Sequence, residues 1–338
     1  MSSAGAFFAS GLWSNKGFPL FIFFMIIRDR PSGIRLFLVV RGSILQRIRL
    51  TLLVNTLSAL LVTVVHGNFF TLKITLTTIP FTLIGLPLAI FLGFRNSTAY
   101  DRYWEGRKLW GELVLRCRSL SRQCQSFIQP SSEFSGQMPD VVEVRQRMVY
   151  RAIGFVHALR LQLRDRSDFD ELQHWVPERE WAGLQKASSK HDALMLEMGK
   201  ELGQCQRMGW IDPCLAVSID NTLSAMTAAA ASCERIKGTP VPFSYTLLLH
   251  RTAYLYCFLL PFGLVDTIGF MTPFVVAIVA YTFFGLDALG DEIEEPFGLE
   301  ANDLPLNTLC RTIEVNLLES LGETVLRPKL EPVNYCLT

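Results

Sequence analysis

The 338 residues carry 32 Lys and Arg against 31 Asp and Glu, a net charge of +1, and half of them are hydrophobic. A chain this close to neutral lacks the basic excess that neutralises phosphates, which argues against a nucleic-acid partner. Its eight cysteines show no CxxC or Cys/His spacing, so neither a zinc site nor a disulfide framework is indicated, and reduced thiols in a cytoplasm-facing body are expected.

At the N-terminus, the apolar run Phe18–Ile27 is too short to span a bilayer, and its flanks Lys16 and Arg28 do not resemble a cleavage site. Either it is an interfacial segment, or Met25 is the true start and residues 1–24 are an extension. Four later stretches approach the roughly 20 apolar residues that a spanning helix needs. Leu50–Val65 is uncharged and is prolonged by Gly67–Leu72. Ile74–Phe94 is uncharged between Lys73 and Arg95. Phe243–Val265 is apolar except for His250 and Arg251, and Ile268–Leu286 is uncharged between Asp266 and Asp287. The spacing predicts two helical hairpins, with outer turns near His66–Lys73 and Asp266–Gly269. Arg41, Arg47 and Arg49 precede the first span, and Arg95, Arg102, Arg107 and Lys108 follow the second. Cations near span ends favour the cytoplasm, so both termini are expected there.

Residues 96–240 read as a helical body, charged and rich in Leu, Arg, Gln and Glu. Connections are expected at Pro130–Pro139, Asp165–Pro177 and Trp210–Pro213, with a helix over Leu215–Ile236. The second span is expected to run on into this body as one long helix. Glu197 and Glu201, at i and i+4 on a charged helix, read as solvated surface. The histidines are scattered, and no HExxH, GxSxG or P-loop pattern is present, so catalysis has little support and no cofactor is expected.

Within the second span, Gly85, Ala89 and Gly93 recur at i, i+4 and i+8, a spacing that lets helices approach closely in lipid. One position later, Leu86, Ile90 and Phe94 form an apolar ridge with the same period. The ridge is either ordinary helix packing or, in symmetric copies around an axis, a hydrophobic constriction that gates by dewetting.

The run Ile79-Pro80-Phe81…Phe91-Leu92-Gly93-Phe94-Arg95-Asn96…Tyr100-Asp101-Arg102-Tyr103-Trp104-Glu105, extended by Gly106-Arg107-Lys108-Leu109-Trp110-Gly111, resembles the signature of the bestrophin family in its bacterial form. Supporting blocks follow in order: Ile236-Lys237…Pro240…Pro242-Phe243…Tyr245-Thr246-Leu247-Leu248-Leu249-His250-Arg251, then Glu295-Pro296-Phe297-Gly298. The resemblance implies a homopentamer with one axial pore, whose neck falls on Leu86, Ile90 and Phe94. Leu86 and Ile90 depart mildly from the Ile and Phe usual there. The family's cytosolic aperture follows an Asp-Pro pair; Asp212-Pro213 puts Cys214 at that place, a thiol instead of a bulky aliphatic, implying a wider opening. Animal bestrophins carry a calcium clasp after the Pro-Phe-Gly. Here Leu299-Glu300-Ala301-Asn302-Asp303 stands there, and only Glu300 and Asp303 fit ligand positions, so no bound metal is expected.

The expected protein is therefore an all-α polytopic membrane protein, with four transmembrane helices per subunit and a helical cytoplasmic body. The channel domain would cover 25–310, with spans near 50–72, 74–95, 243–265 and 268–286, and a C-terminal tail over 311–338. It would conduct small monovalent ions, chloride and other anions or Na+ and K+, across a bacterial inner membrane. The competing expectation is a membrane-anchored helical scaffold or sensor that binds a cytoplasmic partner.

Overall fold

The structure, a computed structural model, describes residues 25–26, 33, 42–65, 68–69, 72–73, 77–130, 138–324, 327–328, 330–331 and 336–337. The expected N-terminal extension over 1–24 lies outside the described residues, as does half of the first outer turn. Of that turn, β2 (Asn68–Phe69) pairs antiparallel with β3 (Leu72–Lys73). A second short pair joins β1 (Met25–Ile26) to β4 (Cys336–Leu337).

Helix α1, Leu45–Val64, buries only Ile48, Asn55 and Ala59. Leu50, Leu53, Leu57, Leu60, Leu61 and Val64 are exposed, a surface that water would not tolerate and that lipid tails would cover. Its hydroxyls stay satisfied in apolar surroundings by bonding backward: Thr56 donates to the Leu52 carbonyl and Thr63 to the Ala59 carbonyl. The helix starts at Leu45, before the expected Leu50, because Gln46, Arg47 and Arg49 are good helix formers with stems long enough to reach the interface.

Helix α2, Thr78–Phe127, is 50 residues long, about 75 Å at 1.5 Å per residue. It is more than twice what a bilayer core needs, so the expected continuation into the body is observed. Pro80 falls in the first turn, where no intrahelical donor is required. Pro87 lies inside and the helix continues through it. A buried stripe at three- and four-residue spacing runs from Leu88, Leu92, Arg95 and Ala99 to Trp110, Leu113, Cys117 and Leu120.

Three stretches are long and apolar enough to cross a membrane: Leu45–Val64, Thr78–Phe127 and Phe243–Glu294. The last folds back on itself. Helix α7 (Phe243–Ile268) ends at Gly269, whose φ of 54° suits a residue without Cβ, and a 3-10 turn over Gly269–Met271 leads into α8 (Thr272–Glu294). His250 pairs with Asp287, the Tyr254 ring meets Phe284, and Tyr256 meets Phe283, which is the register of an antiparallel hairpin. Four apolar helices result, as the sequence predicts. The two expected hairpins differ, however. α1 and α2 each pack on α7–α8, and neither packs mainly on the other.

The body comprises α3 (Met138–Leu163), α4 (Glu178–Lys186), α5 (Lys190–Arg207), α6 (Pro213–Gly238) and α9 (Leu306–Ser320) around the charged half of α2. One core joins Trp110, Leu113 and Cys117 of α2 to Phe155 and Leu159 of α3, Met226 of α6 and Ile313 of α9. The expected connection over Asp165–Pro177 contains a 3-10 helix, Asp170–Trp175, that buries Leu172 and Trp175. α9 runs through residue 310, where the tail was expected to begin, and buries Cys310, Ile313 and Leu317. Burial pushes the thiols of Cys117, Cys124 and Cys310 up to about 12, so they stay protonated.

Candidate functional site: an outward ridge and the ion pairs behind it

At 3.6 residues per turn, the ridge Leu86, Ile90 and Phe94 is centred roughly 170° from the buried stripe of α2. The structure agrees: these side chains are 67%, 48% and 61% exposed, while Leu88 and Leu92 are buried against Leu249 and Ala253 of α7. The ridge therefore faces away from the rest of the described subunit, its one ring contact being that of Phe94 with Phe91 on the same helix. Below Phe94 the same face continues as Ser97, Asp101, Trp104 and Lys108, all exposed. It turns from apolar to polar as the helix leaves the apolar half.

The row of small residues divides. A Cβ on Gly85 would come 2.9 Å from the Tyr256 hydroxyl, so this glycine permits the approach of α7. Ala89 and Gly93 are exposed, and a Cβ on Gly93 would meet nothing within 4 Å. Only Gly85 serves packing inside the subunit; the other two offer a groove to something outside it.

Directly behind the ridge lies a polar cluster of Arg95, Asp287, Asp291, Glu294 and His250. Arg95 follows Phe94 and is 0% exposed. Its Nη1 donates to Asp287 Oδ1 at 2.7 Å and to the Asp287 carbonyl at 3.3 Å. Nη2 pairs with Asp291, and Glu294 lies 3.8 Å away. The other Asp287 oxygen bonds His250 Nδ1 at 2.6 Å. α8 reaches this close because residue 290 is glycine: a Cβ there would sit 2.5 Å from Asn96 Oδ1 and 3.5 Å from Arg95 Cζ. His250, a polar residue within an apolar span, thus has Asp287 as its acidic partner. Arg251 is exposed. One signal was available for the cluster: Asp287, Asp291 and Glu294 recur at i, i+4 and i+7, one face of a helix.

Further down α2, Arg102 ties this helix to the C-terminal ends of α6 and α8. Its Nε donates to the Glu294 carbonyl at 3.0 Å, Nη1 to Thr239 at 2.5 Å and Nη2 to Ile236 at 2.7 Å. Glu105 pairs with Arg235 of α6 at 2.6 Å. Cys214 stands in the first turn of α6, exposed, and its backbone N–H donates to the Asp212 carboxylate at 2.8 Å. It does not meet the ridge within one chain.

Glu201 needs correction. It is not solvated surface but 7% exposed, held by Arg147 at 2.6 Å and Arg151 at 2.9 Å. Burial alone would raise its carboxyl; the two guanidiniums outweigh that and lower it. Glu197 stays at the surface with Lys200.

The two candidate metal ligands flank a cleft of about 390 Å³ at the foot of α8. Glu300 is engaged by Arg47 Nη1 at 2.7 Å. Asp303 Oδ2 accepts from the Glu300 N–H at 2.6 Å, and Oδ1 is buried with no hydrogen-bond partner among the described residues. Burial pushes Asp303 up to about 7, with Glu300 and Glu292 adding to the rise against Arg164. A guanidinium already in the cleft and a carboxylic acid that resists ionisation do not fit a bare divalent ion, which wants several ionised oxygens. Among the described residues no group of three or more His, Cys, Asp or Glu is arranged to hold a metal.

Four apolar helices over a helical body, with an outward apolar ridge on the helix that joins the two, define a polytopic membrane protein. The family model for bacterial and fungal bestrophin proteins matches residues 25–319, and the chain belongs to that family. It is 42% identical over 309 residues to the voltage-dependent anion channel-forming protein mll4386 of Mesorhizobium japonicum, covering 91% of this chain and 95% of that one. Identity to the voltage-dependent anion channel-forming protein YneE of Escherichia coli K12 is 39% over 308 residues, covering 91% and 98%. The crystal structure of a bacterial bestrophin homologue from Klebsiella pneumoniae superposes with a TM-score of 0.75 at 38% identity, covering 82% of this chain and all of that one.

Proposed function

We propose that this protein is a passive ion channel in which five copies surround one axial pore, with Leu86, Ile90 and Phe94 as its neck and Cys214 at its cytosolic aperture. The outward ridge carries this reading: three large apolar side chains at helical spacing face away from the subunit that bears them. Brought together around an axis, such ridges form a constriction that ions cross only when it wets, so opening is a question of pore width and hydration rather than of fixed ligands. Ala89 and Gly93 supply the groove into which a neighbouring α2 fits. The cations flanking the spans support an inner-membrane topology with both termini in the cytoplasm. The permeant species are small monovalent ions. The names of the relatives favour anions; Asp101, the first charge below the neck on the same face, is the feature that opposes them.

The test is ion flux from purified protein in liposomes under asymmetric NaCl. Wild type is compared with the Leu86→Ala/Ile90→Ala/Phe94→Ala triple variant. A current that grows in the variant supports the neck, and the sign of the reversal potential assigns anion or cation. Folded oligomers that pass no current in either form would refute the channel.

A further inference from the structure

The Arg95 cluster sits where it can act on the neck. Phe94 and Arg95 are consecutive on one helix, so no rotation or slide of α2 moves one without the other. Phe94 faces out of the subunit; Arg95 faces in, with no solvent exposure, anchored on α8. A fully buried guanidinium is costly unless held by carboxylates, and this one has three within 4 Å. That burial fixes the angle at which α2 presents Phe94. One of the three, Asp287, is shared: one oxygen holds Arg95, the other holds His250 of α7. His250 is the only group of the cluster whose ordinary titration range lies between about pH 5 and 8, and its side chain is 43% exposed, so protons can reach it.

We propose that Arg95 is a positioning residue for the neck, and that His250, through the shared Asp287, makes its hold on α2 sensitive to protons on the cytoplasmic side. The inference rests on the assignment of Leu86, Ile90 and Phe94 as the neck. The charges facing His250 are few. α8 presents Asp287, with Asp291 and Glu294 further along the same face, and α2 presents Arg95. On α7 the Tyr254 ring lies 4.3 Å from the imidazole, and Arg251 points away to the surface. From α1, Arg47 is taken by Glu300, and Arg49 is exposed. With His250 neutral, Asp287, Asp291 and Glu294 face a single cation, and Arg95 is drawn firmly onto α8. Protonation places a second cation on Asp287. It competes for that carboxylate and repels the guanidinium, so the hold on α2 loosens and the neck at Phe94 widens.

The experiment is a series of currents in liposomes as the cytoplasmic-side pH is lowered from about 8 to about 5.5, the range that spans histidine titration. The wild-type current should rise, by roughly fivefold, which corresponds to about 1 kcal/mol at 1.4 kcal/mol per factor of ten. His250→Gln keeps a neutral donor for Asp287 and removes no buried charge, so the oligomer should assemble and its current should not respond to pH. The neck triple-alanine variant should pass a large current that is likewise indifferent to pH, because there is no constriction left to adjust. A wild-type current independent of pH overturns the proposal, and so does a wild-type profile retained in His250→Gln. A pH response surviving in the triple-alanine variant also overturns it, because His250 would then act elsewhere. If the triple variant conducts no better than wild type, the neck assignment itself has failed.

Discussion

Replacing Arg102 by Ala removes the one side chain that joins the long helix α2 to the C-terminal ends of both α6 and α8. Its three donors reach the carbonyls of Ile236, Thr239 and Glu294 at 2.7, 2.5 and 3.0 Å. Hydrogen bonds from a charged donor contribute about 1.5–3 kcal/mol each. The Thr239 end is exposed, so water replaces that bond at little cost. Ile236 and Glu294 are buried, and their carbonyls lose a donor that also neutralises the negative end of two helices, an effect worth about 0.3–1 kcal/mol each in partly exposed settings. Taking the low end for the two buried bonds gives a loss of about 3 kcal/mol. At about 2 °C per kcal/mol for a chain at the upper end of single-domain size, the midpoint should fall by about 6 °C. The assay is thermal unfolding of the detergent-solubilised protein, followed by tryptophan fluorescence. Because the acceptors are uncharged, the difference should persist at about 1 M salt, where screening acts within about 3 Å. Arg102→Lys can satisfy one of the three directions and should recover less than half of the loss. An alanine variant within about 1 °C of wild type would refute the reasoning; a lysine variant equal to wild type would show that charge alone matters.

Three further outcomes follow from the same geometry. Gly263→Ala puts a Cβ 2.3 Å from the Phe81 ring, an overpacking that should cost about 1–3 kcal/mol; Phe81→Leu in the same chain should recover much of it, as read by midpoint shifts. Asp303 is raised from 3.8 to about 7, so the folded state binds a proton that the unfolded chain gives up between about pH 4 and 7. Stability should fall as pH rises through that window and then level off, whereas Asp303→Asn should remove this slope and be more stable than wild type at about pH 8. In a maleimide-labelling experiment on the folded protein, Cys214 should react, whereas Cys117, Cys124 and Cys310, buried and pushed up to about 12, should react only after denaturation.

Much of the architecture is legible because lipid imposes a simple rule: long runs without charge become helices that cover their own backbone. That rule gives α1, the start of α2, α7 and α8, and the periodicity of Leu86, Ile90 and Phe94 marks a ridge. What periodicity cannot give is the direction of a face. Two stripes share the apolar half of α2, and only the packing of Leu88 and Leu92 on Leu249 and Ala253 leaves the ridge outside. The Arg95 cluster is hidden for a different reason. His250 and Asp287 lie 37 positions apart, and their meeting depends on how the turn over Gly269–Met271 sets the register of α7 against α8. Glu201 misleads because a charged side chain on a polar helix reads as surface until its partners Arg147 and Arg151, from another helix, are seen to enclose it.

Cysteine substitution at the centre of the ridge tests the pore assignment most directly. In a Cys214→Ala background, Ile90→Cys would be reconstituted in liposomes and exposed to a small charged methanethiosulfonate reagent while current is recorded. If the ridge lines the pore, current falls as the thiol reacts, and a reducing agent restores it. Complete modification of Cys at position 90 by mass, with current unchanged, would contradict the account.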